Sequence, residues 1–279
     1  MKLPLYQIDA FAGALFEGNP AAVVPCESWF SDSLMQAIAF ENNLSETAFF
    51  CPSRIRDEGR FDLRWFTPTA EVDLCGHATL ASAYVIMHIL QPDLSNVTFA
   101  TKSGDLVVRK GEQGRLDMDF PSLEATPLDG QEERQISDEL TRVLGVRPIE
   151  LYRGANLLAI FEDEEAIRSL IYHSELGAVL SEANSWGMVS TAPGAQDSEF
   201  DFVSRFFAPA KGVPEDPVTG SAHCMMMPYW AKRLGRKKLV ARQLSVRGGI
   251  VHCLLNGSRV QLSGRCVPYC EGSITLPGR

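Results

Sequence analysis

Glu46 stands in Leu44-Ser45-Glu46-Thr47-Ala48-Phe49-Phe50, at the mouth of an apolar segment. Withdrawal from water there would raise its carboxyl pKa towards neutrality and suit it to carrying protons. The alternative is a solvated strand-end residue, the commoner fate of a glutamate. Two further stretches, Asp73-Leu-Cys-Gly-His-Ala-Thr-Leu and Asp216-Pro-Val-Thr-Gly-Ser-Ala-His, set a polar residue behind a glycine and open an apolar run with alanine. His77 and Ser221 hold that polar position behind Gly76 and Gly220, and Asp216 precedes the second glycine. A helix starting there offers unpaired N–H groups and a partial positive charge, so two such ends facing one cleft would cradle a carboxylate. Glycine at the entry lets the backbone approach a ligand. Its other reading is relief of crowding where helix meets sheet.

Spacing gives metal and nucleotide chemistry less support. Cys75 and His77, His223 and Cys224, and His252 and Cys253 are near neighbours, but none has the C-x-x-C or H-E-x-x-H spacing that marks a zinc site. No G-x-G-x-x-G or Walker-type loop is present, and Met225-Met-Met reads as core filling. The formal charge of −9 argues against nucleic acid or an anionic membrane as partner, since both call for a basic surface. Gln7 and Asp9 interrupt any signal region, and no run approaches the roughly 18 apolar residues of a membrane span. Seven irregularly spaced cysteines do not form a disulfide framework. The expectation is a reduced, cytoplasmic globular protein, and 279 residues suffice for one large or two modest domains.

The elements that must position these residues repeat. An offset of 144 relates Gly76 to Gly220, His77 to Ser221, Gly104 to Gly248 and Arg115 to Arg259. Arg64-Trp-Phe-Thr-Pro matches Arg205-Phe-Phe-Ala-Pro at 141, so the second copy carries about three extra residues between Pro209 and Gly220, and the whole reads as an internal duplication. Residues 103–118 and 247–262 both read as hairpins turning at a glycine. In the first half, strands are expected over Leu3–Phe11, Ala21–Pro25, Thr47–Phe50 and Phe61–Phe66, with a helix over Ser31–Glu41. The run Ala78–Leu90 is apolar almost all round and reads as a buried core helix. In the second half, Ile149–Tyr152, Leu157–Phe161 and Phe200–Phe207 read as strands and Glu164–Tyr172 as a helix. Ser221–Leu234 reads as the second core helix, kinked by Pro228. Pro121–Arg134 reads as the crossing between halves.

Asp9-Ala-Phe with Gly18-Asn-Pro-Ala, Asn43-Leu-Ser-Glu-Thr-Ala-Phe, Phe66-Thr-Pro, Leu74-Cys-Gly-His-Ala-Thr-Leu and Glu215-Asp-Pro-Val-Thr-Gly-Ser-Ala follow one another in that order. Together they resemble the PhzF-like (phenazine biosynthesis) family within the diaminopimelate epimerase fold, over essentially the whole chain. The resemblance implies an α+β protein of two pseudo-symmetric lobes, each a curled β-sheet or barrel around a central α-helix, with the active site between them. The expected division is 1–124, completed by 266–279, and 125–265. A homodimer, a small-molecule carboxylate substrate and catalysis without metal or organic cofactor are also implied.

By that resemblance the acid/base residue falls on Glu46 and its supporting polar residues on His77, Asp216 and Ser221. Gly76, Gly220, Cys75 and Thr219 fall where substrate is held. The family's best-understood activity moves a proton between carbons of a dihydro-hydroxyanthranilate. Epimerases of the fold use two thiols; Cys75 holds the first thiol's position, but Thr219 stands 144 residues on, where its mate belongs. A threonine hydroxyl is too weak an acid or base near neutral pH. The expectation is a one-base isomerase working through Glu46, with a one-thiol epimerase using Cys75 and a non-catalytic metabolite-binding protein as the alternatives.

Overall fold

The computed structural model describes residues 1–53 and 57–276, as a mixed α+β protein. The chain divides into two compact units, Met1–Asp119 with Ser263–Arg279, and Phe120–Leu262.

In the first unit, β1 (Lys2–Ala10) is antiparallel to β2 (Asn19–Pro25). Helix α1 (Asp32–Asn42), capped by Ser31 accepting from the Leu34 N–H, crosses to β3 (Glu46–Pro52), parallel to β2. β4 (Arg60–Phe66) returns antiparallel to β3, and β5 (Glu71–Val72) folds back on β4. Helix α2 (Gly76–Tyr84) follows, buried throughout from His77 to Ala83 and packed on β1, β2 and β3. It begins at Gly76, two residues before the expected start, because Cys75 is extended and serves as the N-cap. Its expected continuation to Leu90 is a π-helical stretch, Val85–Leu90, in which the Gln91 N–H reaches the Ile86 carbonyl. β6 (Asn96–Thr101) is parallel to β4, β7 (Gly104–Lys110) antiparallel to β6, and β8 (Leu116–Pro121) antiparallel to β7.

The second unit opens with β9 (Thr126–Pro127) and α3 (Gly130–Leu144). Part of the segment expected as a plain crossing is therefore helical: Ile136, Leu140 and Leu144 recur every fourth residue and are buried, and Gly145 closes the helix at φ 81°. β10 (Glu150–Arg153) is antiparallel to β11 (Leu157–Ile160). Helix α4 (Glu164–Ser169) ends three residues short of the expected Tyr172, and α5 (Leu176–Glu182) follows. β12 (Met188–Pro193) is parallel to β11, β13 (Phe202–Ala208) antiparallel to β12, and β14 (Val213–Asp216) folds back on β13. Helix α6 (Gly220–Leu234) runs through Pro228 as one element, and its Trp230 donates to Thr191 in the core. β15 (Lys238–Gln243) is parallel to β13 and β16 (Gly249–Asn256) antiparallel to β15. A two-residue turn with Gly257 at φ 58° leads to β17 (Arg259–Gly264). The chain then returns to the first unit as β18 (Cys266–Thr275), antiparallel to β1, and residues 277–279 lie outside the described residues.

Each unit thus has the same order of pairings, antiparallel, parallel, antiparallel, parallel, antiparallel, from β1 to β7 and from β10 to β16. A repeated clamp accompanies it. Arg64 grips Glu71 with two hydrogen bonds of 2.7 and 2.8 Å, and Arg205 grips Glu215 with two of 2.6 and 2.9 Å. Each guanidinium also lies over an aromatic ring two residues on, Phe66 at 5.2 Å and Phe207 at 5.0 Å. The clamp fastens the short strand that leads into each core helix.

Candidate active site

Glu46 is the first residue of β3, opposite Ala21 of β2. Beside it, the Asn42 side-chain amide at the end of α1 donates to the buried Thr47 hydroxyl at 3.1 Å, which fixes where the strand begins. Cys75 and His77 arrive from the start of α2, where the Thr79 hydroxyl donates to the Cys75 carbonyl at 2.6 Å. His77 Nε2 lies 3.1 Å from Glu46 Oε2, with the two side chains 7% and 18% exposed. Cys75 Sγ lies 3.5 Å from His77 Nδ1. Glu46 Oε2 is enclosed, and beyond its close contact with His77 no donor among the described residues is aligned to hydrogen-bond it.

The charges follow from this packing. Burial pushes the Cys75 thiol up to about 11, and the Glu46 carboxylate adds to that rise against a smaller pull from His77. For His77, desolvation favours the neutral ring, but negative charge on Cys75 and Glu46 outweighs it and holds the imidazole well above its usual range. A carboxylate beside an imidazolium can accept a proton from carbon while the cation steadies the developing charge.

The second unit assembles a different polar group. The Thr219 hydroxyl donates a short hydrogen bond to Asp216 Oδ2. Gln243, fully buried, clips the same turn from both ends: its Nε2 donates to the Asp216 carbonyl at 2.7 Å, and its Oε1 accepts from the Thr219 N–H at 2.9 Å. Gln243 was missed in the sequence; its one signal is a polar residue closing the alternating strand Lys238–Gln243. Ser221 is exposed one residue inside α6. A Cβ added to Gly220 would meet only Leu262 Cδ1, at an ordinary 3.6 Å, so crowding does not explain that glycine. His223 is buried with Nδ1 donating to the Thr219 carbonyl at 2.8 Å, and desolvation lowers its pKa to about 4.

The repeat shows that the two polar groups are not copies. Thr47 pairs with Phe66 and Met188 with Phe207, so the place of Glu46 falls on Gly187 in the second unit. A Cβ at Gly187 would come within 3.0 Å of Asn156 Oδ1 and of the Phe206 ring, so a side chain there would need both neighbours to give way, and the chain carries no carboxylate at that place. Of the clusters noted in the sequence, only Cys75 and His77 gain a third potential metal donor among the described residues; the added donor is Glu46, and the three ligand atoms lie within 4.8 Å of one another.

The profile of the family described as "Phenazine biosynthesis-like protein" matches residues 8–272. The chain belongs to this family. It is similar to an uncharacterized isomerase of Pseudomonas aeruginosa, at 44% identity over 99% of this chain and 100% of the relative. It is also similar to phenazine biosynthesis-like domain-containing protein 1 of the mouse, at 41% over 99% and 100%. The crystal structure of a PhzF family protein from Enterococcus faecalis superposes with a TM-score of 0.88 at 38% identity, covering 99% of this chain and 100% of that one. No helix among the described residues is long and apolar enough to cross a membrane.

Proposed function

We propose that the chain is an isomerase that moves a proton between carbons of a small cyclic or unsaturated carboxylic acid, with Glu46 as the acid/base group. The observation that carries this reading is the enclosed Glu46 carboxylate 3.1 Å from the His77 imidazole. Glu46 takes a proton from a carbon made acidic by the conjugated acid and returns it elsewhere on the same face, while His77 balances the charge. The N–H group at Gly76, at a helix start, holds the substrate's anionic group, with Cys75 beside it; in its own unit Gly220, with Thr219 beside it, offers an anion the same kind of helix start. The similarity to a relative named as an isomerase supports the reaction class.

No step in this scheme calls on a cofactor or metal. Gly187 in the place of a second carboxylate favours one base over two. A one-thiol epimerase through Cys75 has the 3.5 Å contact with His77 in its favour, but a thiol pushed up to about 11 is a poor base at neutral pH. We place the enzyme in the cytoplasm, as a homodimer acting in a biosynthetic step. A panel of small cyclic and unsaturated carboxylic acids, including dihydro-hydroxyanthranilate, incubated in deuterated water and followed by NMR, tests the reading. Deuterium entering a carbon position identifies the substrate class; acids that bind without exchanging favour a binding protein instead.

A further inference from the structure

We propose that Glu46, Cys75 and His77 form a binding site for a single zinc ion, which holds the enzyme inactive while bound. The proposal deepens the reading of Glu46 as the base, but the site itself stands on the ligand geometry alone.

Three different donors meet here, a carboxylate oxygen, a thiol sulfur and an imidazole nitrogen, within 4.8 Å of one another. That mixture suits zinc, a borderline-soft ion that accepts O, N and S ligands, better than magnesium or calcium, which select oxygen. Tetrahedral zinc with bonds of about 2.0–2.3 Å sets its donors about 3.3–3.7 Å apart. His77 Nε2 already lies 3.1 Å from Glu46 Oε2 and 4.0 Å from Cys75 Sγ. Side-chain rotations of less than an ångström per donor close the set. All three residues sit at rigid places, the first residue of β3, the N-cap of α2 and its second residue, so the metal meets a framework already built. Glu46 Oε2 has no aligned hydrogen-bond donor among the described residues, which leaves a lone pair ready for a cation. Three protein ligands leave the fourth position to water.

The sequence conceals this site because its donors are split. Cys75 and His77 alone lack zinc-site spacing, and the third ligand comes from the strand that starts at Glu46. Occupation ties up the Oε2 that would accept a proton and the Nε2 that would balance its charge. Zinc is thus an inhibitor here, in competition with the substrate for Glu46.

The experiment is a calorimetric titration of the whole chain with zinc chloride, without substrate, together with the absorption spectrum of its cobalt(II) complex. The expected result is one zinc per chain, with the Cys75 thiol and the His77 ring each giving a proton to the buffer as the metal binds, and a thiolate-to-cobalt charge-transfer band. Cys75→Ser should abolish the band and weaken binding by more than the roughly 10–100-fold that loss of a mere supporting partner brings. Cys270→Ser, which removes the exposed cysteine, should change neither. Glu46→Gln, close in shape and partly exposed, gives a second loss of affinity should Cys75→Ser fail to fold. No saturable binding, binding that Glu46→Gln leaves unchanged, or a cobalt complex without a thiolate band would overturn the site. In a parallel exchange assay, activity of the free enzyme that survives saturating zinc would overturn the inhibition. Silence of the free enzyme counts against the isomerase reading, and the binding titration still decides the site.

Discussion

His77 Nε2 and Glu46 Oε2 lie 3.1 Å apart, although the two residues enter from different elements, the start of α2 and the start of β3. If this contact balances charge as Glu46 gains and loses a proton, His77→Asn should lower exchange by about 10²-fold or more while the far-ultraviolet circular dichroism stays that of the parent. Exchange within a few-fold of the parent would remove His77 from the chemistry.

Gly220 separates packing from function. An added Cβ has room, so Gly220→Ala should shift the unfolding midpoint by less than the equivalent of about 1 kcal/mol. If the Gly220 N–H holds the anion, the added methyl beside it should weaken carboxylate binding. Unaltered binding would return Gly220 to a purely structural role.

The repeated arginine clamp should carry similar weight in both units. Arg64 holds the Glu71 carboxyl down to about 2, and Arg205 grips Glu215 in the same forked way. Glu71→Gln and Glu215→Gln should each lower stability in urea by about 1–3 kcal/mol, the usual cost of breaking a largely buried charged hydrogen-bond pair. A loss from one substitution alone would show that the clamp matters in only one copy.

His223 sets an acid limit on stability. Its folded pKa, about 4, lies below the usual 6.5, so the unfolded chain binds the extra proton first. Stability from the neutral ring is fully present above pH 6.5 and falls as pH drops towards 4, by about 3 kcal/mol in all. Urea unfolding between pH 7 and 4 should show that slope, and His223→Gln should flatten it. An equal slope in both proteins would place the acid sensitivity elsewhere.

Much of the fold could be read from patterns that depend on neighbours in sequence. The 144-residue offset anticipated two copies of one pairing order, and the apolar run after His77 marked α2 as buried on every side. The π-helical ending at Val85–Leu90 could not be read, because an apolar run has the same composition in either helical form. Helix α3 was hidden by the charged, proline-containing text before it, although Ile136, Leu140 and Leu144 carried its period. At the site, Glu46 and His77 were identifiable as types in a motif. Their contact, the third ligand beside Cys75 and the Gln243 clip depend on strands meeting across long stretches of chain, which no local spacing records.

Glu46 is the group proposed to move the proton. The most direct test compares wild type with Glu46→Gln in deuterated water, using a carboxylic acid from the panel that exchanges with the wild-type enzyme. Glutamine keeps the shape and loses the base, so carbon-bound deuterium should appear about 10²–10⁴-fold more slowly in the variant, with substrate still bound. Equal rates in the two proteins would rule out Glu46 as the base and leave Cys75 as the candidate.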